Sequence, residues 1–200
     1  REVVQVMVSI ASQKDRHFQF GQKTLGSILI FLLAGFTTSV AGQNIIDYLG
    51  YRITSSVPRA ANNSVVVIKK GRTTLAKHSE GLAQNYASHV ELVSVIGSSS
   101  KQLVVSQYTG GNHCCTRYWI YELTPKFRLL FESKRFDTIG YSETEKLFQN
   151  LDNDKELEIV DRTPAFHYFN ELSFVSSPVP RLIFDYNRRT RQFELANRRF

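Results

Sequence analysis

Cysteine is scarce in this chain of 200 residues: there are two, and they are neighbours, Cys114 and Cys115. A single adjacent pair cannot build the multi-bridge framework of small disulfide-rich secreted domains. Nor does any pair of spaced cysteines or HExxH string supply a zinc site. Methionine and tryptophan occur once each, as Met7 and Trp119. No run of like charges and no nucleic-acid motif accompanies the formal net charge of +7, so the charge alone does not argue for nucleic-acid binding. Nucleophile-elbow strings are absent too, which removes the most legible hydrolase signature. The longest apolar stretch, Leu25–Val40, is 16 residues, short of the roughly 20 that a spanning helix needs.

What is present is the balance of a folded chain, 42% hydrophobic and 22% charged. Fourteen Phe and nine Tyr are enough for a sizeable core and favour strands. The uncharged stretch Leu25–Val40 follows Lys14, Arg16 and Lys23 and closes on Ser39-Val40-Ala41. A basic region, an apolar region and a small-residue exit are the order of a secretory signal. Residues 1–41 are therefore expected to be a cleaved signal peptide, with the cut at Ala41/Gly42, and residues 42–200 a single β-rich domain of net charge +5. A retained anchor is the alternative. The expected location is secreted or periplasmic, with no stable membrane span after processing and no nucleic-acid partner.

Three segments share one shape, an apolar run, a polar turn and a second run. They are Val65–Ile68 with Thr73–Ala76, Tyr118–Leu123 with Phe127–Phe131, and Leu182–Tyr186 with Arg191–Leu195. Alternation places Trp119, Tyr121 and Leu123 on one strand face, and Phe127, Leu129 and Phe131 on one face of the return strand. A weaker repeat aligns Ser98–Val105 with Asp152–Ile159, each a polar loop entering a buried strand. These units predict an all-β fold, a repeat-built, partial or degenerate β-propeller, with a two-sheet β-sandwich as the alternative. At most one short helix is expected, opened by the capping-box string Ser142-Glu143-Thr144-Glu145. Residues 79–92 read equally as loop or helical turn. The arginines at 188, 189, 191, 198 and 199 read as a solvated hairpin face.

The stretch from Asn150 to Glu158 carries oxygen-bearing side chains at Asn150, Asp152, Asp154 and Glu158. Alternating acidic positions in a tight loop suit calcium, which takes six to eight oxygen ligands. Here the chain resembles the FG-GAP/VCBS-type repeats of β-propeller proteins, whose calcium loops read D-x-D-x-D-G-x-x-D/E before a strand. The resemblance implies that Asn150, Asp152, Asp154 and Glu158 are metal ligands, with Glu156 contributing its backbone carbonyl, and that Ca2+ is the cofactor. Two positions differ from that pattern: Asn150 replaces Asp, and Lys155 replaces the Gly that supplies a positive φ.

Thr109–Thr116, reading TGGNHCCT, sits between two apolar runs. Three readings of Cys114 and Cys115 stand: a vicinal disulfide, two reduced thiols, or a thiol or metal site shared with His113. The other histidines, His78, His89 and His167 among them, read as structural. The GGxHCC string and the aromatic strand after it resemble a segment of uncharacterised exported bacterial proteins, over residues 100–200. That resemblance implies location and no activity.

The function these features favour is an exported, non-enzymatic binding or interaction domain, stabilised by calcium and engaging an exported or cell-envelope partner. The alternative is a secreted or periplasmic hydrolase whose site is assembled in space and leaves no string in the sequence. A thiol–disulfide protein is a third reading, although adjacent cysteines between strands lack the helix start that lowers a redox thiol's pKa.

Overall fold

A computed structural model describes residues 41–58, 62–82, 88–110, 116–140 and 144–200. The expected signal segment up to Val40, and Cys114 and Cys115, lie outside the described residues. Across those described, the fold is all-β, built from three four-stranded antiparallel sheets, none of them closed into a barrel. Sheet I holds β1 (Ala41–Tyr48), β2 (Tyr51–Val57), β3 (Asn63–Lys70) and β4 (Thr73–Leu82). Sheet II holds β5 (His89–Val93), β6 (Gln102–Tyr108), β7 (Thr116–Glu122) and β8 (Arg128–Glu132). Sheet III holds β9 (Phe148–Gln149), β10 (Glu158–Arg162), β11 (Arg181–Asn187) and β12 (Gln192–Leu195). In each, strands follow one another in space as they do in sequence, the up-and-down meander that also serves as a propeller blade. The three hairpins read from the sequence are the last two strands of the three sheets.

The sheets stack in layers, and burial explains their sequences. Tyr51, Ile53, Val66 and Ile68 of sheet I meet Leu103, Val105, Trp119 and Tyr121 of sheet II in one core. The opposite face of sheet II, with Val104, Tyr118, Ile120 and Leu130, meets Ile159, Phe184, Tyr186 and Phe193 of sheet III in a second. Sheet II is thus covered on both faces, and every residue of β6 from Gln102 to Gln107 is buried. A strand covered on both sides reads as a continuous apolar run, whereas a half-covered strand alternates. β3 does alternate, burying Ser64, Val66 and Ile68 and exposing more of the residues between them.

Three expectations are corrected. Phe131 does not share a face with Phe127 and Leu129: the pairing shifts register between Ile120 and Tyr121, and this bulge turns Phe131 into the second core while Leu129 packs against the first. In the ambiguous stretch 79–92, the described residues are strand at Ser79–Leu82 and His89–Val93. β1 was not anticipated, and its first residues, Ala41 and Gly42, are those flanking the expected cleavage point. The short helix forms at Thr144–Leu147.

The polar groups between sheets I and II satisfy one another. Gln107 donates its amide to Ser88 Oγ at 2.7 Å, and Ser88 Oγ lies 2.6 Å from Ser64 Oγ. His78 Nε2 is 3.0 Å from the Tyr121 hydroxyl, and its ring centre is 4.0 Å from that of Trp119. Burial pushes the His78 pKa down to about 4, opposed by the charge of Glu132, and burial pushes Tyr121 up to about 12. A neutral imidazole stacked in a core is a structural histidine.

Candidate metal loop

The β9–β10 loop begins as soon as Phe148 and Gln149 have paired with β10. Its tight curvature rests on Asn153, whose φ of 61° is left-handed, a conformation Asn tolerates better than most residues. Lys155, where the repeat pattern has Gly, is not among the positive-φ residues, so the substitution carries no backbone penalty. The difference is one of position: this loop makes its left-handed step two residues earlier.

Side chains then close the turn. Asn150 donates its amide to the Asp154 carbonyl at 2.8 Å. The Asp154 carboxylate accepts the Glu156 N–H at 2.6 Å, and Asp152 accepts the Asp154 N–H at 3.3 Å. Glu158, the first residue of β10, accepts the Leu151 N–H at 2.7 Å on Oε2. The carboxylates of Asp152, Asp154 and Glu158 converge so that one oxygen from each lies within 4.8 Å of the others. Glu158 is 1% exposed and its Oε1 has no hydrogen-bond partner. Burial raises its pKa, with the charges of Asp152 and Asp185 adding to the rise and the Leu151 N–H opposing it.

Of the four residues expected to ligate through side chains, Asp152, Asp154 and Glu158 bring oxygens together, while Glu156 was expected to offer its backbone carbonyl. The Asn150 side chain acts as a donor to the loop backbone, and the Glu156 carboxylate is engaged by Arg188 at 2.8 Å. Three of the five C-terminal arginines, Arg188, Arg191 and Arg199, are also paired with carboxylates. Arg199 bridges Asp152 and Asp185, and Arg191 makes a two-pronged contact with buried Glu122 at 2.5 and 2.7 Å. Sequence reasoning missed Arg199 because its acidic partners lie 47 and 14 residues away.

The equivalent connection of sheet II, between β5 and β6, is the earlier copy of the weak repeat. One side chain makes most of its closing bonds, and Ser98 Oγ adds another to the Ser100 carbonyl at 2.8 Å. Gln102, 1% exposed, accepts the N–H groups of Val95 and Ile96 at 2.8 and 3.2 Å. It donates to Ser98 Oγ and the Ser100 carbonyl at 3.0 and 2.7 Å. The two loops touch. Leu157 donates its N–H to the Val95 carbonyl at 2.8 Å, and Ile96 bridges Glu156. Gly97, at φ 61°, lies against Lys155 so closely that a β-carbon would stand 3.0 Å from the Lys155 carbonyl oxygen.

Thr116, the last residue of the TGGNHCCT segment, donates its N–H to the Ile139 carbonyl at 2.8 Å. Comparison with family models, with curated proteins and with solved structures finds no match to this chain.

Proposed function

We propose that this chain is an exported, non-enzymatic binding domain whose β9–β10 loop is held by a calcium ion. The observation that supports it is the bare Glu158 Oε1. A buried carboxylate oxygen without a partner is costly, and this one belongs to a cluster with Asp152 and Asp154. A divalent cation would relieve both the missing contact and the mutual repulsion. Asp152, Asp154 and Glu158 would hold it, and the all-oxygen donor set suits calcium better than a transition metal. The ion would supply charge neutralisation and rigidity to a loop end and takes part in no reaction.

A binding role accords with the placement of long connections at the ends of a rigid stack of sheets, where recognition residues commonly sit. Export is supported by the arrangement of Lys14, Arg16, Lys23 and the apolar Leu25–Val40 stretch. The resemblance of the loop to FG-GAP/VCBS-type repeats points the same way. The test is thermal melting of the protein in millimolar calcium, in magnesium and in chelator. At a hundred times its Kd, calcium should stabilise the fold by about 2.7 kcal/mol, and Asp152→Ala with Asp154→Ala should abolish that increment. Identical melting in calcium and chelator would reject the ion.

A further inference from the structure

The carboxylates that meet over the β9–β10 loop have a neighbour on the next strand. Ile159 of β10 pairs with Phe184 of β11, so the antiparallel ladder brings Asp185 level with Glu158 on one face of sheet III. It is the face away from the core that takes Ile159 and Phe184. There Glu158 is 1% exposed, and its Oε1 has no hydrogen-bond partner. Arg199 shows how near Asp185 comes to the loop. One terminal nitrogen of its guanidinium donates to Asp185 Oδ2 and the other to Asp152 Oδ2. Asp185 is not among the three carboxylates that converge within 4.8 Å, as expected while a guanidinium stands between it and Asp152.

Four carboxyl groups, those of Asp152, Asp154, Glu158 and Asp185, thus face one guanidinium. The guanidinium reaches the outer pair, Asp152 and Asp185, and its own side chain is about half exposed. It does not satisfy the inner oxygens. Glu158 Oε1 stays bare, and Asp154 accepts the Glu156 N–H at 2.6 Å instead. A planar fork donates only in its own plane, whereas calcium gathers about six to eight oxygens around itself. Glu194, which pairs with Asp185 from β12, stays outside this set. Thr190 and Asn187 already donate to its oxygens at 2.6 and 2.8 Å.

Arg199 is held where it can leave. The turn after β12 is fastened to β11 at Asn197, whose side chain accepts the Ile183 N–H at 2.9 Å and donates to the Arg181 carbonyl at 2.8 Å. Arg199 lies two residues beyond that anchor, and its backbone N–H returns to the Ala196 carbonyl at 2.8 Å. Its long side chain can therefore turn outward while β11 and β12 stay paired. Resting on the calcium reading of the β9–β10 loop, we infer that Asp185 is a fourth side-chain ligand of that site, and that Arg199 is a resident counter-ion which gives way to the metal. Asp152 then exchanges the guanidinium for the ion, and Asp185 is freed to turn towards Glu158.

Calorimetric titration of the full chain with calcium chloride tests both parts, in wild type, in Arg199→Gln and in Arg199→Gln with Asp185→Asn. All three should fold and melt nearly alike in chelator, because partly exposed ion pairs contribute little to stability. Arg199→Gln should raise calcium affinity about fivefold, the scale of one partly exposed ion pair. Adding Asp185→Asn to that background should lower it about tenfold, since affinity follows the number of charged ligands. Equal affinity in wild type and Arg199→Gln would overturn the displacement. Equal affinity in Arg199→Gln and the double variant would overturn Asp185 as a ligand and leave it a partner of the arginine. Calcium stays on the loop in both of those results. Absence of binding in all three proteins is the separate outcome that rejects the calcium site, and this inference with it. Binding by Arg199→Gln without binding by wild type would support the displacement, with the arginine holding the native site closed.

Discussion

The β5–β6 and β9–β10 loops hold the same place in consecutive sheets, joining the first strand to the second, yet they solve the problem of buried polar groups in opposite ways. In the first, the amide of Gln102 accepts two N–H groups and donates two hydrogen bonds, and the loop closes without any charge. In the second, three carboxylates converge and Glu158 keeps an unmatched oxygen. A neutral amide has both donors and an acceptor, so it can saturate a loop by itself. Ionised carboxylates only accept, so a cluster of them needs donors from elsewhere: Arg199 meets that need at Asp152 and the Glu156 N–H at Asp154, while one Glu158 oxygen stays unmatched. The pair teaches that one meander unit can carry either a self-contained turn or a cluster of carboxylates, and that the choice rests on a few side chains.

That contrast predicts a graded set of outcomes. The largest effect should come from Gln102→Ala, which strands the buried N–H groups of Val95 and Ile96. Urea denaturation should show a loss of about 3 kcal/mol, the same in calcium and in chelator. A loss that differs between calcium and chelator would show that the damage reaches the β9–β10 loop through the seam where Val95 and Ile96 meet Leu157 and Glu156. Glu158→Gln should behave in the opposite manner. It should remove the calcium increment of about 2.7 kcal/mol and leave stability in chelator unchanged or slightly higher, since the amide keeps the volume and lacks the buried charge. Melting curves of the two variants side by side make the comparison directly.

Gly97→Ala probes the seam between the loops. A methyl at φ 61° facing the Lys155 carbonyl should cost about 1–2 kcal/mol, and should also weaken calcium binding measured by titration calorimetry, because the β9–β10 loop must shift to admit it. An unchanged calcium affinity would show that the seam transmits nothing. The smallest effect is expected from Arg199→Gln. This partly exposed bridge to Asp152 and Asp185 should contribute under about 1 kcal/mol in chelator. Its removal should raise calcium affinity, because Asp152 is then released from a competing cation.

Much of the architecture was legible because it rests on local patterns. The three hairpins announced themselves by apolar runs flanking polar turns at 69–72, 124–126 and 187–190. The repeat linking Ser98–Val105 to Asp152–Ile159 proved to mark equivalent connections in sheets II and III. β1 was hidden because Gln43, Asn44 and Asp47 interrupt its apolar residues and it follows a targeting-like stretch, so periodicity gave no clear answer. The bulge that turns Phe131 away from Phe127 was equally invisible, since a strict two-residue period assumes an unbroken ladder.

By itself, then, the order of residues determined the three hairpins, their turns and the acidic loop, because hydrogen-bonded ladders and tight turns are chosen by neighbours a few positions apart. Only the tertiary structure decided that sheet II is buried on both faces, that Arg199 reaches Asp152, and that Glu158 keeps a bare oxygen beside two other carboxylates. Those outcomes depend on which surfaces meet after the chain has folded back on itself. Burial and charge pairing act between residues whose separation in sequence carries no information about their distance in space.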